Sequence, residues 1–167
     1  MVSGETSVLV VGAGSMHCAL RITSVAEILR PLPARSLGGL PPFVAGLAIL
    51  RGRPAPVVDL CRLLGTGESA PPTRFVALKV GERRVALAVT GVVGIWKLDP
   101  QSFLDAPPLV GRVSGESIEA LGALDGRLLA LLSAGRILTG EVWQALECLP
   151  PPPPRGGVAE PVAGEGS

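Results

Sequence analysis

The chain has no tyrosine and no asparagine, and only five of its 167 residues are aromatic. It has a single histidine and three scattered cysteines, Cys18, Cys61 and Cys148, with no short spacing between them. One histidine and no cysteine pair give no metal-ligand set. An odd number of dispersed thiols gives no disulfide framework and fits a reducing cytoplasm. Acidic residues are few, and no pair is spaced for acid–base chemistry. The formal net charge is +1, so no overall field draws the chain to nucleic acid or to an acidic membrane. Arginines interrupt every apolar stretch before it reaches the ~20 residues of a spanning helix. The first seven residues carry no basic segment followed by an apolar core, so no signal peptide is expected.

What the chain has in quantity is apolar side chain, 47%, together with 22 glycines and 17 prolines. The first supplies a core, and the second favours many short strands over a helical bundle. The chain also repeats itself. Residues 14–28 (GSMHCALRITSVAEI) align with 81–95 (GERRVALAVTGVVGI) at an offset of 67, with six identities in fifteen positions. Residues 47–53 (LAILRGR) align with 121–127 (LGALDGR) at an offset of 74, and 57–64 (VVDLCRLL) with 131–138 (LLSAGRIL). Two blocks in the same order mean that one small unit was built twice.

Within each unit the pattern reads as strands. Residues 74–80 and 84–89 flank Gly81-Glu82, and 8–11 and 17–22 flank 12–15; both are expected hairpins, because glycine takes the positive φ of a tight turn cheaply. Gly52-Arg53 and Gly126-Arg127 read as later turns, and Pro54 and Pro56 mark the following strand as edge-like or bulged. Asp59 caps an expected helix over 60–64 that exits at Gly65, and Ser133 caps its equivalent over 134–138. Ser24 and Glu27 have capping-box spacing, which suggests a further helical turn. The seam lies at 65–72. A terminal helix over 141–149 carries a Val142/Leu146/Leu149 stripe, and a Pro/Gly-rich tail, expected to be disordered, runs from 150 to 167.

Three features carry possible chemistry. Gly12-Ala13-Gly14 after an apolar strand is how a dinucleotide site begins. His17 stands where a third glycine would, and the segment that follows reads as a strand, so a nucleotide-dependent enzyme is the lesser reading. His17 and Cys18 are neighbours in a strand and point to opposite faces, which prevents joint chelation. Arg51 ends an apolar strand at a turn that should expose it; its repeat equivalent is Asp125, so packing does not demand arginine there. Trp96 and Trp143 are expected as core or helix-packing residues.

The stretch 44–60 (VAGLAILRGRPAPVVDL), with its Leu-Arg-Gly and Pro-Val-Val-Asp-Leu, resembles the CheW family of chemotaxis coupling proteins, and 121–132 resembles that family's closing strands. The resemblance runs from about residue 8 to 138. It implies an all-β chain of two five-stranded SH3-like barrels, at 8–64 and 74–138, inside a domain spanning 8–140. It implies no cofactor and no enzymatic activity. The implied role is a scaffold linking methyl-accepting chemoreceptors to a CheA-type histidine kinase, cytoplasmic and recruited to receptor arrays, so that membrane contact is indirect. A scaffold of a non-chemotactic chemosensory pathway is the variant of that role. The receptor contact is expected at Arg51, with Gly46, Ile49 and Gly52 around it, and the kinase contact at Val92, Val93 and Ile95. Ile49 stands where the family usually has asparagine, and Ser133 where it often has aspartate.

Overall fold

Glycine-bearing turns set the first level of organisation. The structure, a computed structural model, describes residues 6–67, 70–99, 101, 103–105 and 117–147. β1 (Thr6–Ala13) and β2 (Met16–Arg21) form one hairpin, and β6 (Arg74–Val80) and β7 (Arg83–Val89) another. Gly14 and Gly81 open their turns at φ 66° and 63°. β4 (Val44–Leu50) pairs with β5 (Arg53–Asp59), and β10 (Ile118–Leu124) with β11 (Arg127–Leu132). Here the turn residues are Arg51-Gly52 and Asp125-Gly126, one position earlier than the sequence suggests. All four have positive φ (50°, 81°, 52° and 78°), the signature of a type I′ turn, whose twist matches that of the flanking strands. β3 (Val25–Leu29), β8 (Gly91–Leu98) and β9 (Leu104–Asp105) complete the strands.

The strands form two sheets, ordered β8-β1-β2-β11-β10-β9 and β3-β6-β7-β5-β4. The first five strands of one are the repeat equivalents of the five strands of the other, in the same order. Even the irregularities coincide. The register shift between Val10 and Val11 against β8 recurs between Val25 and Glu27 against β6, and the shift between Val44 and Gly46 recurs between Ile118 and Ala120. A bulge increases local twist and bends its strand, so each copy curls in the same way. Among the described residues, the pairings leave both sheets open.

Neither sheet is contiguous in the chain, which corrects the expected partition into 8–64 and 74–138. β1 and β2 sit between β8 and β11 of the second half, and β6 and β7 between β3 and β5 of the first. The two units have exchanged hairpins. The exchange gives each hairpin a parallel neighbour, β2 on β11 and β7 on β5, which no tight turn could supply.

Alternation then divides the core. Leu9, Val11 and Ala13 face a cluster shared by both sheets, with Leu20, Leu60, Leu78, Leu87 and Leu132 fully or nearly fully buried. Val8 and Val10 face a smaller cluster with Ala19, Leu129 and Leu131. Its repeat equivalents, Phe75, Ala77, Ala86, Ala55 and Val57, form the matching cluster of the other sheet. Each fully buried leucine or valine contributes about 2 kcal/mol of transfer free energy.

α1 (Leu60–Leu64) has the expected cap: Asp59 accepts from the Arg62 amide, and Gly65 exits at φ 66°. Its counterpart is only a 3-10 turn, Ala134–Arg136, and the Ser133 side chain makes no cap hydrogen bond. The capping-box helix is also absent: Ile22–Ser24 is a 3-10 turn, and Glu27 lies in β3, where pairing to β6 overrides the local signal. Pro54 and Pro56 lie in an interior strand, over a stretch where the register to β7 has not begun and β4 is its partner. α2 (Gly140–Glu147) is preceded by Thr139, whose Oγ1 accepts from the Val142 amide at 3.3 Å. Val142 is buried and Leu146 packs on the shared core; Leu149 and the 150–167 tail lie outside the described residues. No helix among the described residues is long and apolar enough to cross a membrane.

Candidate docking grooves

Arg51 is held in place by its backbone. It occupies the first position of the β4–β5 turn, its side chain is 81% exposed, and it forks onto Glu27 of β3. Nε donates to Oε2 at 3.1 Å and Nη2 to Oε1 at 2.8 Å, so Nη1 remains for a partner. That hydrogen-bonded fork holds the Glu27 carboxyl below its ordinary value and raises the Arg51 guanidinium further. The sequence offers Glu27 only as half of a capping box. Its place opposite a turn arginine depends on β3 and β4 lying at the two edges of a curled sheet, which short-range spacing does not encode.

This pair sits on the rim of a groove of about 800 Å³. Leu47, Leu50 and Pro54 line one side, and α2 forms another through Trp143, Leu146 and Glu147. Arg83, at the start of β7, locks that wall. Its guanidinium lies over the Trp143 ring, 4.7 Å from the centroid, and its Nη2 also donates to Glu147. A cation over an indole face is attracted by the ring quadrupole. Of the four residues expected around the receptor contact, Arg51 alone lines the groove. Gly52 is the exposed second turn residue, Ile49 is half-buried opposite Pro54, and Gly46 is buried. Gly46 is required by a close backbone approach. At φ 149°, a Cβ there would lie 2.1 Å from the Arg35 carbonyl oxygen.

Val92, Val93 and Ile95 are 36%, 48% and 64% exposed on β8, an edge strand, so they are not core residues. Val93 lines a second groove of about 290 Å³ with His17, Trp96, Leu124, Asp125, Arg127 and Leu128. His17 is half-buried at its edge, while Cys18 points into the shared core. Burial, with Cys61 nearby, pushes the Cys18 thiol up to about 12, which makes it inert as a nucleophile. No group of three potential metal ligands occurs among the described residues.

Gly12 and Gly14 do not open a phosphate loop. The strand they end turns straight back into β2, with no helix to aim its amides at an anion. The Gly14 amide donates to Thr90 Oγ1 at 3.0 Å, and a Cβ on Gly12 would crowd that same oxygen at 3.2 Å. The two glycines therefore serve the β1–β2 turn and its packing on Thr90, which overturns the nucleotide reading.

Comparison with known proteins agrees with this architecture. A solved structure titled scaffolding protein TtCheW, from Thermoanaerobacter tengcongensis, superposes with a TM-score of 0.71 at 20% identity, covering 83% of this chain and 95% of that one. The curated chemotaxis protein CheW of Klebsiella aerogenes is 28% identical over 144 residues, 83% of this chain and 87% of the relative. That of Rhizobium meliloti is 24% identical over 147 residues, 87% and 95% respectively. A family model described as the CheW-like domain matches residues 7–142, most of the chain and both of its sheets, and the chain belongs to that family.

Proposed function

We propose that this chain is a non-catalytic adaptor of a chemotaxis pathway, joining a methyl-accepting chemoreceptor to a CheA-type histidine kinase. Family membership supports the role, and the Arg51 groove carries the assignment of the receptor contact. A receptor tip is a helical hairpin, and this groove offers an apolar floor, an aromatic wall in Trp143 and an arginine on a rigid turn. The turn and the Glu27 fork hold Arg51 before binding, which lowers the ordering cost. Nη1 is then available to a carboxylate of the incoming helix. Gly46, Ile49 and Gly52 shape the strand and turn that present it. The kinase contact falls on Val92, Val93 and Ile95 of the exposed edge strand. In this reading each sheet, curled by its paired bulges around its own small cluster, is an SH3-like barrel, the CheW-like domain runs from 8 to 140, and the protein works in the cytoplasm at receptor arrays.

Isothermal titration with the signalling tip of a receptor from the same cells tests the reading. Arg51→Ala should weaken binding by about 30-fold, the loss typical of an anchoring interface arginine. Arg51→Lys should recover only part of it, because an ammonium keeps the charge and loses the fork. Kinase binding should be untouched by either. Receptor binding by Arg51→Ala at wild-type affinity removes the groove from the receptor contact.

A further inference from the structure

The second groove repeats part of the first. Through the repeat offsets, its residues His17, Val93, Leu124, Asp125, Arg127 and Leu128 fall on Arg84, Ala26, Leu50, Arg51, Arg53 and Pro54, all of which line the Arg51 groove. Of its lining, only Trp96 has an equivalent, Leu29, outside that set. The chain therefore carries two versions of one strand-and-turn rim, one on each sheet; the second groove is the smaller, about 290 Å³ against about 800 Å³, and no helix among the described residues lines it as α2 lines the first.

The copies differ in charge where the turn meets the edge strand. In the first, Arg51 is paired with Glu27 through Nε and Nη2 and keeps an exposed cationic edge at Nη1. In the second, the turn residue is Asp125 and the position of Glu27 is Gly94, so the carboxylate stands without a cationic partner among the described residues. Arg127 lies in the same groove, as Arg53 does in the first, and His17 stands where the first has Arg84, so only the turn position reverses sign. The side chains on the walls differ too: Val93 and Leu128, 48% and 55% exposed, stand where the first copy has the smaller Ala26 and Pro54.

We propose that the second groove is the kinase's docking site, and that it selects an apolar segment of the kinase bearing a lysine or arginine that pairs with Asp125. The charge at this one turn position, Arg51 against Asp125, then decides which partner each groove accepts. Like charges brought together reject the wrong partner more effectively than apolar contact, which both grooves offer. This inference rests on the adaptor reading for the identity of the partner and on the two grooves for its chemistry.

Titrations of the kinase's regulatory domain and of the receptor tip into wild type, Asp125→Arg and Asp125→Asn decide it. Arg51 already occupies the same positive φ, so arginine is tolerated at this turn. Asp125→Arg should weaken kinase binding by roughly tenfold or more, and Asp125→Asn by a few-fold, with receptor binding unchanged. Kinase binding by Asp125→Arg within about twofold of wild type overturns the proposal. If wild type binds no kinase, the adaptor reading fails while the groove remains testable. In a Trp143→Phe protein, Trp96 is the sole tryptophan and reports the second groove. A leucine/lysine amphipathic peptide should change its emission, a leucine/glutamate peptide should not, and Asp125→Arg should abolish the difference. An equal response to both peptides, or none to either, overturns the assignment of charge.

Discussion

Gly46→Ala is the substitution whose outcome the structure fixes most tightly. The new Cβ would lie 2.1 Å from the Arg35 carbonyl oxygen and 2.6 Å from its carbon. Both are backbone atoms, so no rotamer relieves the overlap. Arg35 is tied to the next strand residue by two hydrogen bonds, its amide to the Leu47 carbonyl at 2.7 Å and the Leu47 amide to its own carbonyl at 2.9 Å. Moving the loop away sacrifices both bonds, each worth about 1 kcal/mol net. Holding alanine at a φ that favours glycine adds about 1 kcal/mol or more. The expected loss is about 3 kcal/mol, or a fall in Tm of roughly 10 °C for a chain of this size. Urea unfolding measures the first and calorimetry the second. A loss below about 1 kcal/mol would mean that the 35–36 segment yields freely, and the argument for Gly46 as a structural glycine would fail. Loss of receptor binding by this variant is then read as a consequence of the displaced turn.

Asp59→Ala, which removes the α1 cap, should cost about 1 kcal/mol in urea unfolding, whereas Ser133→Ala, which removes no cap bond, should be near neutral. Glu119 accepts a bidentate fork from Arg21, Nη1 to Oε1 at 2.7 Å, and that hydrogen bonding lowers its carboxyl below the usual range. A lowered folded value contributes stability that is present above the unfolded glutamate range and lost as the pH falls through the folded value. Glu119→Gln should therefore be less stable than wild type by about 1 kcal/mol near pH 7 and should match it near pH 2, a modest figure because the Arg21 side chain is 39% exposed. Cleavage between residues 68 and 69 should leave two fragments that do not fold singly but regain the native circular dichroism spectrum on mixing; a folded single fragment would contradict the hairpin exchange.

The site was legible where chemistry is local. A Leu-Arg-Gly run at a strand end is enough to place Arg51 on an exposed turn, and its mismatch with Asp125 already marks it as a residue that packing does not require. Glu27 was not legible, because its partner is 24 residues away and its local spacing mimics a helix start. The α2 wall was half legible. The apolar stripe places Val142 and Leu146 correctly, but Trp143 meets Arg83 through a contact between chain segments 60 residues apart, for which no periodicity gives a signal.

The fold shows the same division at a larger scale. Hairpins, caps and alternation are nearest-neighbour properties, so the repeat identifies nearly every strand and its counterpart. Pairing between hairpins is not such a property. The offset is 67 in the first block and 74 in the second, because the connections between blocks differ in length, and a change of length says nothing about which copy a hairpin joins. The exchange is decided by what each hairpin must bury. β1 is buried on both faces from Val8 to Ala13, and so is β7 from Val85 to Val89. A strand of that kind needs a neighbour on each side and cover on both faces. The seam between β5 and β6 includes Gly65 and Gly67, both at positive φ, and the second hairpin lies beside β5, leaving the first to pair with β8 and β11. The two sheets are thus completed by each other's hairpins, so the Arg51 and Asp125 turns are carried on one cooperative body, and a perturbation of the shared core reaches both grooves.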